Sequence, residues 1–466
     1  MLGRTRRVHF VGVGGIGMSG IAELLANLGY EVSGSDAKES EATARLRERF
    51  NVRVVEGHAA GNIGDADVVV VSSAVRRTNP EIVEAERRGI PVIPRAEMLA
   101  ELMRLHFAIA VAGSHGKTTT TSMIALVLER AGLDPTAVIG GRLSVFGSNA
   151  RLGDSEYMVA EADESDRSFL MLWPSIAVVT NIDREHMESY GSLDALQQAF
   201  VDFANKVPFY GSVVACADDP NLAAVVPRVT RRVTTYGLAT DADIFARDVE
   251  VGAFGGRCSV HRQSSSGAQH LGRLELVVPG RHNLQNALAA VAVGERLGLA
   301  FEQVANALRD FQGAERRFER HGEVDGVTVV DDYGHHPTEI AAVLAAARAT
   351  LNRRLIVAFQ PHRYSRTAQL LDEFGPALRD ADEIVLTDIY AAGEEPIAGI
   401  TLEALAAAIR RGAGRPVHVV PSLDEMVTRL VDMARPGDAV ITLGAGSIGA
   451  IPRTLMDALT RREARR

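Results

Sequence analysis

The run IAVAGSHGKTTTT, from Ile109 to Thr121, constrains the fold of this chain most, because it joins an apolar strand to a helix through a glycine turn. Backbone amides at the start of such a helix point at anionic oxygens, and a lysine there neutralises phosphate charge. The alternative is a structural glycine turn with a surface lysine, because the interval from Gly113 to Gly116 is shorter than in the common phosphate-loop motif. We predict a nucleotide-phosphate site, with the Thr118 hydroxyl on magnesium, made by Gly113, Ser114, His115, Gly116, Lys117, Thr118 and Thr119.

Composition limits the class of protein. At 466 residues the chain exceeds the size of a single core, so we expect about two to four domains. The net charge of -9 argues against a nucleic-acid partner, and no apolar run is long enough for membrane insertion. Cys216 and Cys258 form no CxxC pair, and the first residues lead directly into a strand. We therefore expect a cytoplasmic enzyme.

Apolar runs of strand length alternate with amphipathic helical stretches along the chain, which predicts an α/β fold. A phosphate loop normally opens on an early strand of its sheet, so its position predicts that one domain has already ended near His106. The charged segment GAERRFERHG places a second boundary near Ala314, and RQSSSGAQHLG is expected to be a hairpin loop. The predicted domains are 1–106, Rossmann-like; 107–314, a P-loop ATPase-type mixed sheet; and 315–466, Rossmann-like.

Two glycine fingerprints follow strands. Gly12, Gly14 and Gly17 form GxGxxG after the first strand, and Asp36 ends the next strand, as in dinucleotide-binding folds. The motif indicates a diphosphate at a helix N-terminus, and both NAD and a UDP group satisfy that condition. The second fingerprint, at Gly444, Gly446 and Gly449, has no following strand to supply a ribose-binding acid, so a tight turn is favoured there.

Acidic residues follow two strands of the middle block. Glu161 ends one strand in VAEADESD, and Asp183 and His186 follow the next in NIDREH. Because the carboxyl ends of parallel strands face the ligand crevice, we expect both groups to lie near Lys117, where hard oxygen ligands suit magnesium. The alternative is that these side chains are solvated loop acids.

A third polar group follows two strands of the last block, in DDYGHHPTE and QPHRYSRT. Arginines there are able to hold a carboxylate in bidentate fashion, while a histidine or aspartate orients an amine. The residues expected on this rim are Asp332, Tyr333, His335, His336, His362, Arg363 and Arg366.

Taken together and in order, GVGGIGMSGIA, GSHGKTTTT, EADESD, NIDREHMESYG, GRHNLQNALAA, RRFE, DDYGHHPTEI and QPHRYSRT resemble the Mur ligase family across nearly the whole chain. The resemblance implies three domains that bind a UDP-sugar, ATP and an amino acid. It implies ATP-dependent joining of L-alanine to UDP-N-acetylmuramate through an acyl phosphate, with two Mg²⁺ ions. It also implies a uridine diphosphate site at the first glycine fingerprint.

The resemblance assigns roles residue by residue. Catalytic roles fall to Lys117, Glu161, His186, His335 and Arg363. The metal ligands are Thr118, Glu161 and His186, and the ATP site adds Asn283, Asn286, Arg317 and Asp332 to the loop. The UDP-sugar site comprises Gly12, Gly14, Gly15, Gly17, Asp36, His58, Ser72 and Ser73. The amino-acid and acyl site comprises Tyr333, His335, His362, Arg363 and Arg366. No lysine lies between His186 and Lys206, where sister enzymes carry a carbamylated lysine; its absence suits the alanine-adding branch.

Three alternatives stay open at this point. One is a recycling ligase that attaches a murein tripeptide to the same UDP-sugar. The others are an NAD-dependent oxidoreductase and a nucleotide-gated binding protein that hydrolyses ATP without ligation. We expect a monomer or a weak homodimer.

Overall fold

The computed structural model describes residues 3–72, 74–143, 148–238, 241–252 and 255–464. This part of the chain divides into two compact units. The first extends to Val249 and adds Arg257–Glu275 and Leu284–Gln312. The second contains Glu250–Gly256, Leu276–Asn283 and the chain from Gly313 onward. The predicted boundaries near His106 and Ala314 stay predictions, and the first two predicted domains fall largely in the first unit.

The N-terminal sheet belongs to the first unit and has the order β3-β2-β1-β4-β5. All its pairs are parallel, and the order matches the first five strands of the Rossmann order 3-2-1-4-5-6, with the switch point between β1 and β4. Its strands are β1 (Arg7–Val11), β2 (Glu31–Asp36), β3 (Arg53–Glu56), β4 (Val68–Val71) and β5 (Val92–Pro94). Its helices are α1 (Ile16–Asn27), α2 (Glu41–Phe50), α3 (Pro80–Arg87) and α4 (Arg95–Met103).

Local sequence explains where these helices begin. The Ser40 hydroxyl accepts from the Thr43 amide and the Thr43 hydroxyl accepts from the Ser40 amide, so a reciprocal cap starts α2. Asn79 caps α3, and Pro80 occupies its first turn, where no backbone donor is needed. Glu81 therefore enters the fold at a helix N-terminus.

The central sheet has the order β15-β14-β13-β12-β11-β10-β6-β9-β7-β8. β6 lies between β10 and β9 and is parallel to both, so the chain segments that follow these three strands emerge side by side. The strands are β6 (Phe107–Ala112), β7 (Thr136–Leu143), β8 (Ser148–Arg151), β9 (Tyr157–Glu161), β10 (Ile176–Val179), β11 (Ser212–Cys216), β12 (Val233–Gly237), β13 (Ile244–Gly252), β14 (Gly255–Ser264) and β15 (Gly267–Leu276). The helices are α5 (Lys117–Arg130), α6 (Met187–Tyr190), α7 (Leu193–Asn205), α8 (Pro220–Val225), α9 (Arg281–Arg296) and α10 (Phe301–Arg309).

The third sheet belongs to the second unit and has the order β16-β17-β21-β18-β19-β20. Its strands are β16 (Glu319–Val324), β17 (Val327–Asp332), β18 (Arg354–Phe359), β19 (Glu383–Leu386), β20 (Val417–Val419) and β21 (Asp438–Leu443). Its helices are α11 (Pro337–Leu351), α12 (Tyr364–Gln369), α13 (Phe374–Ala377), α14 (Leu402–Ala413), α15 (Leu423–Met433) and α16 (Ile451–Glu463). Alternate residues of its strands enter separate apolar clusters, so both faces are covered and the α/β prediction is confirmed.

One local prediction was wrong in detail, and one strand was not predicted. The segment RQSSSGAQHLG is mostly strand, because β14 continues to Ser264 and β15 starts at Gly267. No strand was predicted in the charged segment GAERRFERHG, which contains the start of β16; this strand pairs antiparallel with β17 at the edge of the sheet. Charged side chains are tolerated there because an edge strand meets solvent and is often protected by charge.

Candidate active site

The turn after β6 has the form of a phosphate-binding loop. Gly113 has φ +136° and Gly116 has φ +80°, both in the region that favours glycine. A Cβ on Gly113 would overlap Thr180 Oγ1, and a Cβ on Gly116 would lie 2.8 Å from Asn286 Oδ1. The glycines are therefore required both for backbone conformation and for close packing, as in a loop whose amides approach a ligand.

The segment after β10 holds this loop in place. Asn181 Oδ1 accepts from the His115 amide at 2.8 Å, and the Asp183 amide donates to Ser114 Oγ at 2.8 Å. The His115 imidazole lies 2.8 Å from Asp183 Oδ2. These contacts make the loop and the NIDREH segment one structural assembly.

Lys117 begins α5 and points into the loop. Its ammonium donates to Gly113 O at 2.6 Å and to Glu164 Oε1 at 2.9 Å. Burial alone would lower the pKa of Lys117, but the charges of Glu164, Asp163 and Glu161 outweigh it and raise the pKa. The side chain is therefore a fixed positive charge at the start of the helix.

Two more predicted residues meet beside this lysine. The Thr118 hydroxyl donates to Glu161 Oε2 at 2.9 Å, so the predicted metal ligands from α5 and the end of β9 are in contact. The Thr119 side chain is buried at the same helix start. A hydroxyl and a carboxylate next to a phosphate loop are the oxygen donors that Mg²⁺ prefers.

Glu164 and Glu185 complete a cluster with His186. Ligand atoms of these three side chains lie within 4.8 Å of one another. Burial raises the pKa of Glu164, although the Lys117 charge opposes the shift. Glu164 Oε2 is buried and has no hydrogen-bond partner among the described residues, an arrangement that fits a cation. His186 has φ +57°, a strained backbone that aims its ring at the cluster.

Glu164 was expected near Lys117 only as one acid of the run EADESD, and Glu185 was not predicted. A signal was present, since Glu164 lies in the acidic run EADESD and Glu185 precedes His186. The hydrophobic pattern gives no means of telling which acid of such a run turns inward. The roles of Lys117, Thr118, Glu161 and His186 stay predictions, and the structure places all four within one assembly.

The glycine loop after β1 is also closely packed. Gly12 has φ +83°, and a Cβ there would press on Ser72 and Val75. The Gly14 amide donates to Asp36 Oδ2 at 2.8 Å. A Cβ on Gly17 would overlap the Arg95 guanidinium.

Other predicted UDP-sugar residues border this loop. Gly15 is the residue before α1 and is extended, so the following amides start the helix. His58 follows β3, and its Nδ1 lies 3.1 Å from Ser35 Oγ. Ser72 lines a cavity of about 260 Å³ that Arg95 and Asp166 also line. Ser73 lies outside the described residues.

In the second unit, aromatic rings form a row. Tyr333 and His335 meet edge to face with centroids 5.6 Å apart, and His335 lies 5.2 Å from His362. Tyr390, which was not predicted, stacks on His362 at 5.7 Å. Burial, followed by the charges of His335 and Arg366, lowers the pKa of His362 to about 3, so this imidazole is neutral at neutral pH.

The two arginines of the predicted amino-acid site flank this row. Arg366 Nη1 lies 3.3 Å from His362 Nδ1. The Arg363 amide donates to Tyr390 O at 2.8 Å, and Arg363 has the strained φ of +69°. His336, expected on the same rim, is buried and caps α11 instead.

The predicted nucleotide residues of the second unit have partners within that unit. Asp332 accepts from the Gly334 amide at 2.6 Å and from the Phe318 amide at 2.7 Å, and burial raises its pKa to about 6. The Arg317 guanidinium lies over the Tyr333 ring at 5.3 Å. Asn283 Nδ2 donates to a backbone carbonyl at 2.7 Å. Asn286, in the first unit, lies beside Gly116.

The second glycine fingerprint forms closely packed turns. A Cβ on Gly444 would lie 2.7 Å from Gln360 O, and one on Gly446 would lie 2.6 Å from the Tyr390 ring. A Cβ on Gly449 would lie 2.6 Å from the Arg316 guanidinium. These glycines therefore have a packing role, as the predicted tight turn requires.

The loop, its lysine and the acidic cluster define an α/β protein that binds nucleotide phosphates. Three family models match the chain: "Mur ligase family, catalytic domain" at residues 7–107, "Mur ligase middle domain" at 111–294 and "Mur ligase, glutamate ligase domain" at 316–446. The chain belongs to the Mur ligase family, whose members are ATP-dependent amide ligases.

Named relatives support this assignment. The chain is 55% identical over 458 residues to UDP-N-acetylmuramate--L-alanine ligase of Anaeromyxobacter dehalogenans, with 98% of this chain and 99% of that protein covered. It is 55% identical over 453 residues to the ligase of the same name from Myxococcus xanthus, covering 97% and 95%. The crystal structure of UDP-N-acetylmuramate-alanine ligase MurC from Thermotoga maritima matches with TM-score 0.83 and 30% identity, covering 99% and 100%. A murein peptide ligase from Psychrobacter arcticus matches with TM-score 0.74 and 26% identity, covering 98% and 99%.

In the described part of the chain, none of the helices combines the length and the apolar character needed to cross a bilayer.

Proposed function

We propose that this enzyme joins L-alanine to the lactyl carboxylate of UDP-N-acetylmuramate with conversion of ATP to ADP and phosphate. The observation that carries the proposal is the assembly of Lys117, Thr118, Glu161 and Glu164 at one helix start. Full-length relatives at 55% identity are named for this reaction, whereas the murein peptide ligase is 26% identical. Alanine is therefore favoured over a tripeptide as the acceptor.

The proposed reaction has two steps. A carboxylate is a poor electrophile, so its oxygen first attacks the γ-phosphorus of ATP, the bond to ADP breaks and an acyl phosphate forms. The neutral amine of alanine then attacks the acyl carbon, phosphate leaves and the amine loses a proton. Lys117 offsets the negative charge of the phosphoryl group during its transfer.

Mg²⁺ would supply further positive charge at the phosphates. The oxygen-rich surroundings of Thr118, Glu161 and Glu164 fit such an ion, and the group of Glu164, Glu185 and His186 fits a second. We propose two ions on this basis. In the second unit, Arg363 and Arg366 are proposed to hold the carboxylate of alanine, with His335 and His362 beside it.

The UDP-sugar is proposed to bind at the glycine loop of the N-terminal sheet, with its diphosphate at the start of α1. Family membership removes the NAD-dependent oxidoreductase and the binding-protein alternatives. We also propose a cytoplasmic location, where ATP is available as the proposed co-substrate. The monomer or weak homodimer stays a prediction.

The test measures phosphate release with ATP and Mg²⁺ while UDP-N-acetylmuramate, L-alanine and the tripeptide are each added or left out. We expect release that requires both UDP-N-acetylmuramate and L-alanine, and a product heavier than the UDP-sugar by one alanine residue. Glu161→Gln is the matched variant of low activity, because it keeps the shape of the side chain and removes its charge. Release with the tripeptide but without alanine would favour the recycling ligase, and release without any acceptor would contradict ligation.

A further inference from the structure

The N-terminal sheet buries a carboxylate that none of the proposed steps uses. Glu81 lies in the first turn of α3 and is 0% exposed. Burial alone would raise its pKa, but hydrogen bonds with His9, Ser35 and Asn62 outweigh burial and lower the pKa to about 2. A buried carboxylate is costly unless its oxygens are well supplied with donors. Glu81 is therefore an ion held inside the fold.

Donors surround both oxygens of this carboxylate. Oε2 accepts from Ser35 Oγ at 2.6 Å and lies 3.1 Å from His9 Nε2. Oε1 accepts from Asn62 Nδ2 at 2.7 Å and from the Ala59 amide at 3.2 Å. An ionised carboxylate has no hydrogen of its own, so every partner must donate. The single hydroxyl hydrogen of Ser35 is therefore directed at Glu81.

This assignment fixes the hydrogen on a second histidine. His58 Nδ1 lies 3.1 Å from Ser35 Oγ and 3.4 Å from Glu81 Oε1. Because the Ser35 hydroxyl donates its hydrogen bond to Glu81, the hydroxyl oxygen accepts a hydrogen bond from the imidazole. Nδ1 of His58 must then carry a hydrogen, and Nε2 is the nitrogen left for another partner.

The accessible end of this network lies at the predicted UDP-sugar site. The His58 side chain is 22% exposed, whereas that of His9 is 1% exposed. His58 follows β3, and the Gly57 amide donates to Asp36 O at 2.7 Å. Asp36 in turn accepts from the Gly14 amide of the glycine loop at 2.8 Å. The buried charge is thus connected to the edge of the sheet where the loop lies.

We propose that Glu81 is a positioning residue for recognition of the sugar nucleotide, acting through Ser35 to present Nε2 of His58 to the UDP group. The identity of the ligand rests on the proposed function. With its hydrogen on Nδ1, the imidazole offers Nε2 as an acceptor to a hydroxyl or N–H of the nucleotide. Glu81 itself makes no contact with the ligand.

A double-mutant cycle on the full chain tests this coupling, with UDP as the probe in titration calorimetry at pH 8. We expect His58→Ala and Ser35→Ala each to weaken UDP binding about three- to tenfold, the range of one neutral hydrogen bond. The double variant should bind no more weakly than His58→Ala, because Ser35 acts through His58. Glu81→Gln should resemble Ser35→Ala, with the KM for ATP unchanged. Effects of Ser35→Ala and His58→Ala that multiply would overturn the proposal.

His9→Phe is the matched control. It removes the contact between His9 Nε2 and Glu81 Oε2 and leaves the Ser35 and His58 side chains unchanged, so we expect a lower unfolding midpoint and a UDP affinity within about twofold of wild type. An equal loss of affinity in this variant would reduce the role of Glu81 to folding and would overturn the proposal.

Nitrogen-15 NMR of the His58 ring gives a readout that needs no ligand. At pH 8 the wild-type ring should be the Nδ1–H tautomer, and Ser35→Ala should populate the other tautomer. An Nε2–H tautomer in the wild type would contradict the assignment. If the wild type shows the Nδ1–H tautomer and binds UDP but releases no phosphate in response to alanine, the result counts against the proposed function and leaves the role of Glu81 intact.

Discussion

Replacing Lys117 with methionine should destabilise the protein in a pH-dependent way. The ammonium lies 2.9 Å from Glu164 Oε1, and the two side chains are 14% and 1% exposed. At an effective dielectric constant near 20, the attraction at this distance is about 6 kcal/mol. Lys117→Met removes that attraction and leaves the Glu164 charge buried among other acids.

Protonation of Glu164 limits the penalty. Protonating a carboxyl with an ordinary pKa of 4.5 costs about 1.4 kcal/mol per pH unit above that value. The upper limit is therefore about 5 kcal/mol at pH 8 and about 1.4 kcal/mol at pH 5.5. The direction of the pH dependence follows from the pKa of Glu164. Burial already raises this pKa, and the loss of Lys117 raises it further. Such a group contributes stability at low pH that is lost as the pH increases through its folded-state pKa.

The assay compares thermal unfolding midpoints of wild type, Lys117→Met and Lys117→Met/Glu164→Gln between pH 5.5 and 8. The single variant should fall progressively below wild type as the pH increases, and the double variant should recover most of the loss at pH 8. Phosphate release should vanish in both variants while UDP binding persists. A deficit that does not change with pH, or no recovery from Glu164→Gln, would refute the electrostatic argument.

Three further perturbations test the site. Gly113→Ala should abolish binding of a fluorescent ATP analogue because its Cβ would overlap Thr180, whereas Gly132→Ala, with open space around it, should retain binding; equal effects would contradict the packing argument. Glu161→Gln should lower kcat roughly 100-fold and raise the Mg²⁺ concentration needed for half-maximal phosphate release, and an unchanged Mg²⁺ dependence would argue against a metal role. Burial raises the pKa of Asp332 to about 6, so its contribution to stability is present below pH 4 and falls by about 3 kcal/mol as the pH rises through 6. Asp332→Asn should remove this pH dependence in denaturant titrations at pH 4.5 and 7.5. A pH dependence that persists in the variant would contradict the role given to Asp332.

Much of the fold follows from short-range patterns in the sequence. Strands such as β10 and β18 are continuous apolar runs bounded by polar turns, and their burial on both faces confirms the α/β prediction. The edge strand β16 was missed because its residues are charged, and pairing with β17 rather than apolar content holds it in the sheet. Non-local hydrogen bonding of this kind leaves no periodic signal.

The site was predictable to the level of segments but not of individual side chains. Strand ends in α/β sheets meet at one edge, so the proximity of Glu161 and His186 to Lys117 could be expected. The inward turn of Glu164 depends on its ion pair with Lys117, which lies 47 positions earlier in the chain. Tyr390 escaped notice for the same reason, because its contact with His362 joins segments that are distant in sequence.

Arg95 packs against Gly17, so the residues allowed at these two distant positions of the chain depend on each other. The guanidinium fits because position 17 has no side chain, and it also lies 3.6 Å from Asp163 in the acidic run behind the phosphate loop. A homologue with a bulkier residue at position 17 should therefore either turn the arginine aside or carry a shorter residue at position 95. Loss of the arginine would also remove the cation beside Asp163. A substitution in the glycine loop after β1 would then change the net charge next to the phosphate loop.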